Sequence, residues 1–287
     1  MATYSTERVL RVQHWSDSLF SFSTTRSPGL RFENGQFVML GIQGDGASRI
    51  TRAYSIASAN YEEELEFYSI KVPHGPLTSR LQFIEPGAAL LVSSKPTGTL
   101  VLRDLKPGKR LFLLATGTGV APFLAIAKDP ETYERFEEVY LIRGARTIDG
   151  LAYADSVLQR LRDKPYIGEF VSSQLRDYPT VTRQAFRNRG RITTLIESGA
   201  LFENLSTQPL DRERDRLMVC GNMRMIADLS RILDSKGFCV SPRVGVTGDY
   251  VIERAFVETY DVAPAGDPAA GDPAAGDRDR ARRAVQC

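Results

Sequence analysis

The sequence predicts two domains of different class, an N-terminal antiparallel β-barrel followed by a C-terminal parallel α/β domain. Two observations carry this. Over the first hundred residues, short alternating or apolar segments are separated by turn residues at the spacing of an antiparallel barrel. From Lys109 onward, apolar runs alternate with helix-length segments, the pattern of βαβ units around a sheet buried on both faces. A third feature bounds the folded part: after Tyr260 almost no apolar bulk remains.

In chain order, strands are expected at 7–14, 19–23, 36–42, 65–72 and 89–93, interrupted by SPG, ENG, QGDG and EPG. SRITRAYSIAS (48–58) adds a further strand, and one short helix is expected near Leu77 to Gln82. The boundary falls near Asp104 to Gly108, giving domains at 1–105 and 106–260. In the second, Leu111–Ala115, Val139–Ile142 and Leu217–Cys220 read as buried strands, and Ile148–Arg162 and Met223–Lys236 as helices. Residues 261–287 repeat PAAGD in tandem and cannot bury enough surface to offset their ordering entropy, so a low-complexity, disordered tail is expected.

Composition narrows the function. The chain has 287 residues, 42% hydrophobic and 25% charged, enough for two cores. No apolar run approaches the ~18 residues of a membrane span, and MATYSTERVL lacks the order of a signal peptide, so a cytoplasmic protein is expected. Three cysteines and two histidines without a CxxC pair are too few for structural zinc or an iron–sulfur cluster; no metal is expected. Redox chemistry would need an organic cofactor. A net charge of +2 argues against a general nucleic-acid binder. A monomer is expected, and His14 and His74 are read as surface or loop residues.

The first chemical signal is LLATGTGVAPFLA (113–125), in which a buried strand gives way to a helix through two glycines. At such a turn, backbone N–H groups and the positive end of a helix converge on a phosphate. Gly117 and Gly119 let the backbone approach an anion, and Pro122 near the first helical turn loses no needed donor. Arginines then recur where strands end or helices begin: Arg143, Arg146, Arg183, Arg189 and Arg191. Guanidinium groups suit bidentate phosphate contacts, so the cluster favours NADPH over NADH. In the first domain Arg52 and Tyr54 alternate on one face of a strand, a phosphate clamp beside a ring able to stack on another ring. Cys220 ends a buried strand and reads as a packing and positioning residue.

RAYS (52–55), KVPHGPLTSRL (71–81), GTGVAP (117–122), CGNMRM (220–225) and ERAFVE (253–258) occur in one order, and together they resemble the bacterial branch of the ferredoxin–NADP reductase family over residues 5–260. The resemblance implies a barrel carrying FAD and a second domain carrying NADP(H). It places Arg52 on the FAD pyrophosphate, Tyr54 on the isoalloxazine and Ser55 near flavin N5, with Ala53 between them. Leu77, Thr78 and Ser79 would supply helix-start amides to the remaining phosphate oxygens, and Tyr68 and Thr118 would stand beside the flavin. Gly117, Gly119 and Pro122 would hold the NADP pyrophosphate; Arg146, Arg183 and Arg191 would surround the 2′-phosphate. Cys220, Gly221 and Asn222 would border the nicotinamide. Ala255 would stand at the flavin where many relatives carry an aromatic residue, Phe256 would turn to the adenine of FAD, and Glu258 would be the acidic residue handling protons. Ser55, Glu258 and Cys220 are the candidates for positioning hydride transfer.

The resemblance implies an enzyme passing hydride between NADPH and FAD and single electrons between FAD and ferredoxin or flavodoxin. Those carriers are generally acidic, so a local basic surface is expected. Two alternatives stay open. One is a reductase for free flavin, a quinone or an oxygenase component; the other is a nucleotide-binding redox sensor or scaffold whose tail recruits a partner.

Overall fold

The computed structural model describes residues 3–44 and 49–253. Its N-terminal part contains β1 (Tyr4–His14), β2 (Leu19–Thr24), β3 (Phe37–Gln43), β4 (Arg49–Ser55), β5 (Leu65–Ile70), the single-turn helix α1 (Thr78–Leu81) and β6 (Ala89–Ser93). These six strands form one antiparallel sheet in the order β4-β3-β6-β1-β2-β5. The sheet curls until its two edges meet: beyond β4, the Ala57 amide donates to Glu66 O at 2.8 Å and the Glu66 amide to Ser58 Oγ at 3.0 Å. Closure removes the exposed edges that an open sheet would present. The interior is aromatic and aliphatic, with Phe20, Phe22, Leu40, Tyr54, Ile56, Leu65 and Phe67 in one cluster.

The second part runs β7 (Arg110–Thr116), α2 (Ala121–Ala127), α3 (Pro130–Arg135), β8 (Glu138–Ala145), α4 (Ala152–Arg162), α5 (Ile167–Gln174), β9 (Leu175–Val181), α6 (Ile192–Glu197), α7 (Ala200–Asn204), β10 (Asp215–Cys220), α8 (Met223–Ser235) and β11 (Tyr250–Ile252). Its five strands are parallel, in the order β11-β10-β7-β8-β9. Strand alternation divides the core into two layers. Leu111, Leu113 and Ala115 face the layer with α2 to α5, whereas Phe112 and Leu114 face the layer with α6 to α8. The first layer also takes in Ala57, Tyr68, Leu100, Leu102 and Leu105, so the core of the second lobe runs on into the first.

The chain lays down β7, moves outward to β8 and β9, then returns to the other side of β7 for β10 and β11. The order therefore reverses between β7 and β10, and the carboxyl ends of those two strands flank the crevice where an open α/β sheet binds its ligand. α3, α5, α6, α7, β9 and β11 have no bounds among the sequence expectations, although Arg183 and Arg191 are expected at a strand end and a helix start. The helix expected from Ile148 begins with a 3₁₀ turn, Ile148–Leu151, before α4 proper. No helix among the described residues is long and apolar enough to cross a membrane, and no group of three or more metal-ligating side chains is found among them.

Candidate functional site

β7 is buried along its length up to Thr116, because both faces are covered; the chain then turns through Gly117. Gly117 has φ +56° with no atom near its missing side chain, so this backbone is open to a ligand. A 3₁₀ turn, Gly117–Val120, leads into α2, whose first turn holds Pro122. β10 ends the same way. Cys220 is followed by Gly221 at φ +146°, and Asn222 caps α8 by accepting the Met225 amide at 2.9 Å.

The two turns are pressed together. A Cβ on Gly119 would lie 2.7 Å from Cys220 C and O and 2.8 Å from Gly221 N. One on Gly221 would lie 2.1 Å from Thr116 Oγ1, which accepts from the Asn222 amide at 3.2 Å. The expectation that Gly119 opens the backbone to an anion is therefore corrected: its bare face meets the neighbouring turn, and Gly117 offers the open surface. Pro122 is likewise buried within α2 and shapes the turn from behind. Thr118 lies half-buried between the two glycines.

Beside this crevice the loops after β8 and β9 are joined by the Arg183 amide donating to Arg146 O at 2.9 Å. Gly190 returns to Val181 O at 3.0 Å, placing Arg191 at the start of α6. Arg146, Arg183 and Arg191 are exposed, and none is paired with a carboxylate among the described residues. Arg143 is different. It is 3% exposed, donates to Asp177 at 2.7 and 2.6 Å and pairs with Asp155, so burial has consumed it as a structural ion pair.

On the barrel side, Arg52 is half-buried on β4, and among the described residues its guanidinium bonds only its neighbour's carbonyl, Thr51 O, at 2.8 Å. Ala53 pairs with Met39, Tyr54 with Val38 and Ser55 with Phe37. The Tyr54 ring stands edge-on to Phe22 and Phe67, its hydroxyl 3.1 Å from Ser69 Oγ; it is a wall of the barrel core more than a free-standing platform. Ser55 Oγ is buried with no hydrogen-bond partner among the described residues. An orphaned buried hydroxyl costs stability unless a ligand satisfies it.

Tyr68 lies where the two lobes meet. Alternation on β5 turns Leu65 and Phe67 inward and Tyr68 outward to α4, where it stacks on Tyr153 at 4.2 Å and 24°. Burial pushes its phenol well above the ordinary range. Just before α1, Leu77 belongs to the barrel core, and in α1 Thr78 Oγ1 donates to Val72 O at 3.1 Å. The Ser79 amide is already taken by Gly75 O at 3.1 Å, so of the three expected amides only those of Leu77 and Thr78 lack a backbone acceptor among the described residues. His14 and His74 are exposed.

One residue escaped the sequence reading. Glu253 follows β11, is 5% exposed, and accepts the Thr99 amide at 3.2 Å; Thr99 Oγ1 donates to Ile252 O at 2.6 Å. Thr99 lies two residues beyond Thr97, which bridges Phe37, the strand partner of Ser55. On its other side Glu253 acts on Cys220: burial first, and this carboxylate second, push the thiol far above its ordinary range. A thiol so held is kept in its protonated form, the form that does not act as a nucleophile. Ser55, Glu253 and Cys220 thus converge from both lobes on one seam. VIER could have signalled this, since a lone acid closing a short apolar strand falls at the carboxyl edge of the sheet. Ala255, Phe256 and Glu258, with the 261–287 tail, lie outside the described residues.

Comparison with known proteins agrees with this geometry. The Oxidoreductase NAD-binding domain family matches residues 113–231. Ferredoxin–NADP reductase of Pseudomonas aeruginosa is 58% identical over 258 residues, spanning 90% of this chain and all of that one. The enzyme of the same name from Azotobacter vinelandii is 56% identical over 258 residues, with the same coverage. The crystal structure of a ferredoxin NADP+ reductase from Neisseria gonorrhoeae with bound FAD and NADP superposes with a TM-score of 0.80 at 31% identity, covering 89% of this chain and 100% of that one. With such identity over nearly its whole length, and the two-lobed fold to match, this chain belongs to the ferredoxin–NADP reductase family.

Proposed function

We propose that the chain is an FAD-dependent oxidoreductase that exchanges electrons between NADP(H) and ferredoxin or flavodoxin. The observation that carries this reading is the seam: the switch point between β7 and β10 opens onto the barrel where Ser55 ends β4, and Glu253 ties the two together through Thr99. The Ser55 hydroxyl and the Arg146, Arg183 and Arg191 guanidinium groups, unpaired among the described residues, form with the open Gly117 backbone a donor set that fits a flavin and a phosphorylated dinucleotide. When bound, FAD takes two electrons at once from NADPH and passes them on singly.

In this reading Arg52 and the Leu77 and Thr78 amides face the FAD phosphates, Ala53 and Tyr54 wall the flavin site, and Ser55 offers its hydroxyl. Gly117 and Thr118 receive the NADP pyrophosphate, with Gly119 and Pro122 holding the turn in shape; Arg146, Arg183 and Arg191 neutralise the 2′-phosphate. Gly221 and Asn222 border the nicotinamide, and the buried Cys220 supports that border. Glu253 joins Glu258 as an acid we assign to the reaction, orienting the seam beside the thiol. Residues 1–105 form the flavin lobe and 106–260 the dinucleotide lobe of a monomer that works in the cytoplasm.

The test is anaerobic. The purified protein is expected to be yellow and to bleach far faster with NADPH than with NADH, then to recolour on adding ferredoxin or flavodoxin. A colourless protein that takes up no FAD ends the reading, and recolouring by free flavin or quinone alone moves the acceptor to the alternative class.

A further inference from the structure

α2 joins two places that the chemistry must keep in register. Its start carries the Gly117–Val120 turn; its end delivers Lys128 into the barrel. The Lys128 side chain is 6% exposed, and Nζ donates to Ala57 O at 3.0 Å and to Glu62 Oε2 at 3.0 Å, with Glu66 at 3.7 Å. Ala57 stands two residues after Ser55. Glu62 is itself fixed, accepting the Ala59 amide at 2.8 Å and Lys164 Nζ at 3.0 Å. Two more bonds cross the same junction: Tyr61 Oη to Lys128 O at 3.0 Å, and Asn34 Nδ2 to Asp129 Oδ2 at 2.7 Å. Asn34 Oδ1 in turn accepts the Asn60 amide at 2.8 Å.

A buried ion pair is a weak source of stability, because desolvation offsets most of its Coulomb gain and apolar replacements are often neutral or better. Directional bonds at 3.0 Å supply something an apolar contact does not, a single allowed alignment. α2 is short and packed on all sides, so a shift at Lys128 is transmitted to Gly117 with little loss.

We propose that Lys128 is a positioning residue for hydride transfer: its clasp on Ala57 and Glu62 sets the dinucleotide turn against the flavin strand at reactive separation. The inference rests on the functional reading above. A hydride leaving NADPH carries both electrons to the flavin and releases NADP+, and a displacement of about 1 Å at such a transfer slows it by as much as a hundredfold.

The test uses the flavin-loaded Lys128→Met variant. Anaerobic stopped-flow with saturating NADPH is expected to show the limiting rate of bleaching reduced about tenfold or more. NADPH affinity and flavin content should stay within about twofold of wild type, since neither pocket is touched. Amide exchange in the same holoprotein should accelerate at Ala59. Glu62→Gln, which keeps the side-chain size, should move both readouts the same way by a smaller factor and decides the matter if Lys128→Met loses its flavin. A lowered melting temperature with an unchanged limiting rate overturns the proposal, as a purely structural residue would behave so. Wild-type protein that NADPH does not bleach overturns the functional reading and the proposal with it, whereas equal rates in a wild type and variant that both bleach overturn only the role of Lys128.

Discussion

The pair Gly117→Ala and Gly119→Ala separates the two jobs in the glycine turn. At Gly119 the added methyl would lie 2.7 Å from Cys220 C and O and 2.8 Å from Gly221 N, all backbone atoms in a turn that cannot swing aside. Overpacking of this kind costs about 1 to 3 kcal/mol, and contact with backbone puts Gly119→Ala in the upper half, about 2 to 3. At roughly 2 to 4 °C per kcal/mol for a chain of this size, the melting midpoint falls by roughly 4 to 12 °C. At Gly117 the methyl meets nothing within 4 Å, and the cost is that of the left-handed conformation, about 1 to 2 kcal/mol. Its added bulk instead stands on the surface assigned to the dinucleotide phosphates. Thermal melts of both variants, with NADPH titrations of the flavin-loaded proteins, give the pattern: Gly119→Ala loses stability most, and Gly117→Ala loses NADPH affinity disproportionately. A Gly119→Ala protein as stable as wild type would refute the packing argument.

Arg183→Ala and Arg191→Ala should each raise the NADPH KM on the order of tenfold, the worth of a charge-assisted hydrogen bond, and leave NADH use nearly unchanged; steady-state kinetics with both cofactors check this, and equal losses refute it. Arg110 and Asp215 form a buried two-bond pair at 2.6 and 2.6 Å. Asp215→Ala strands the guanidinium and should cost about 3 to 5 kcal/mol in urea unfolding; a loss below about 1 kcal/mol counts against a dry site. Burial alone would raise the Glu62 carboxyl, but Lys128, the Ala59 amide and Lys164 together hold it below the ordinary range. Its contribution is therefore complete above about pH 4.3, the unfolded glutamate value, and disappears as pH falls through the lower folded value. Melting curves of wild type and Glu62→Gln should stand apart at neutral pH and converge in acid; a constant offset to about pH 3 contradicts the ion pair.

What the sequence disclosed depended on whether a residue's partner was local. The barrel strands were legible because alternation and turn residues lie within a few positions, and the strand-to-helix turn at Gly117 was legible for the same reason. β9 was not: LRDYPTV is an edge strand with a proline and two charges, pairing with β8 as its one partner strand while distant helices bury its two faces. Arg143 resembled Arg146 in LIRGAR, and only the fold reveals that Asp177, 34 positions on, takes it out of solvent. Tyr68 illustrates the same limit. Its strand could be read, but which face of β5 the second lobe covers is decided by docking. Glu253 went unread because β11 spans three residues, too few for any period to register.

The lobes are held by two kinds of contact with different consequences. The apolar seam, Tyr68 on Tyr153 with Leu100, Leu102 and Leu105 inside the second core, supplies area without direction. Polar ties flank it. Thr99 meets Glu253 at the carboxyl end of the parallel sheet, and Lys128 meets Glu62 at the far end of α2. Because α2 links the parallel strands β7 and β8, it must run back against them, which puts the two ties at opposite ends of the seam. One tie would leave the lobes free to pivot about it; two, so separated, fix the angle between them. Loosening the Lys128 tie, while Tyr61 and Asn34 still hold the end of α2, is therefore expected to let the dinucleotide turn shift about Thr99 and change the distance at the flavin strand without touching a group in either pocket.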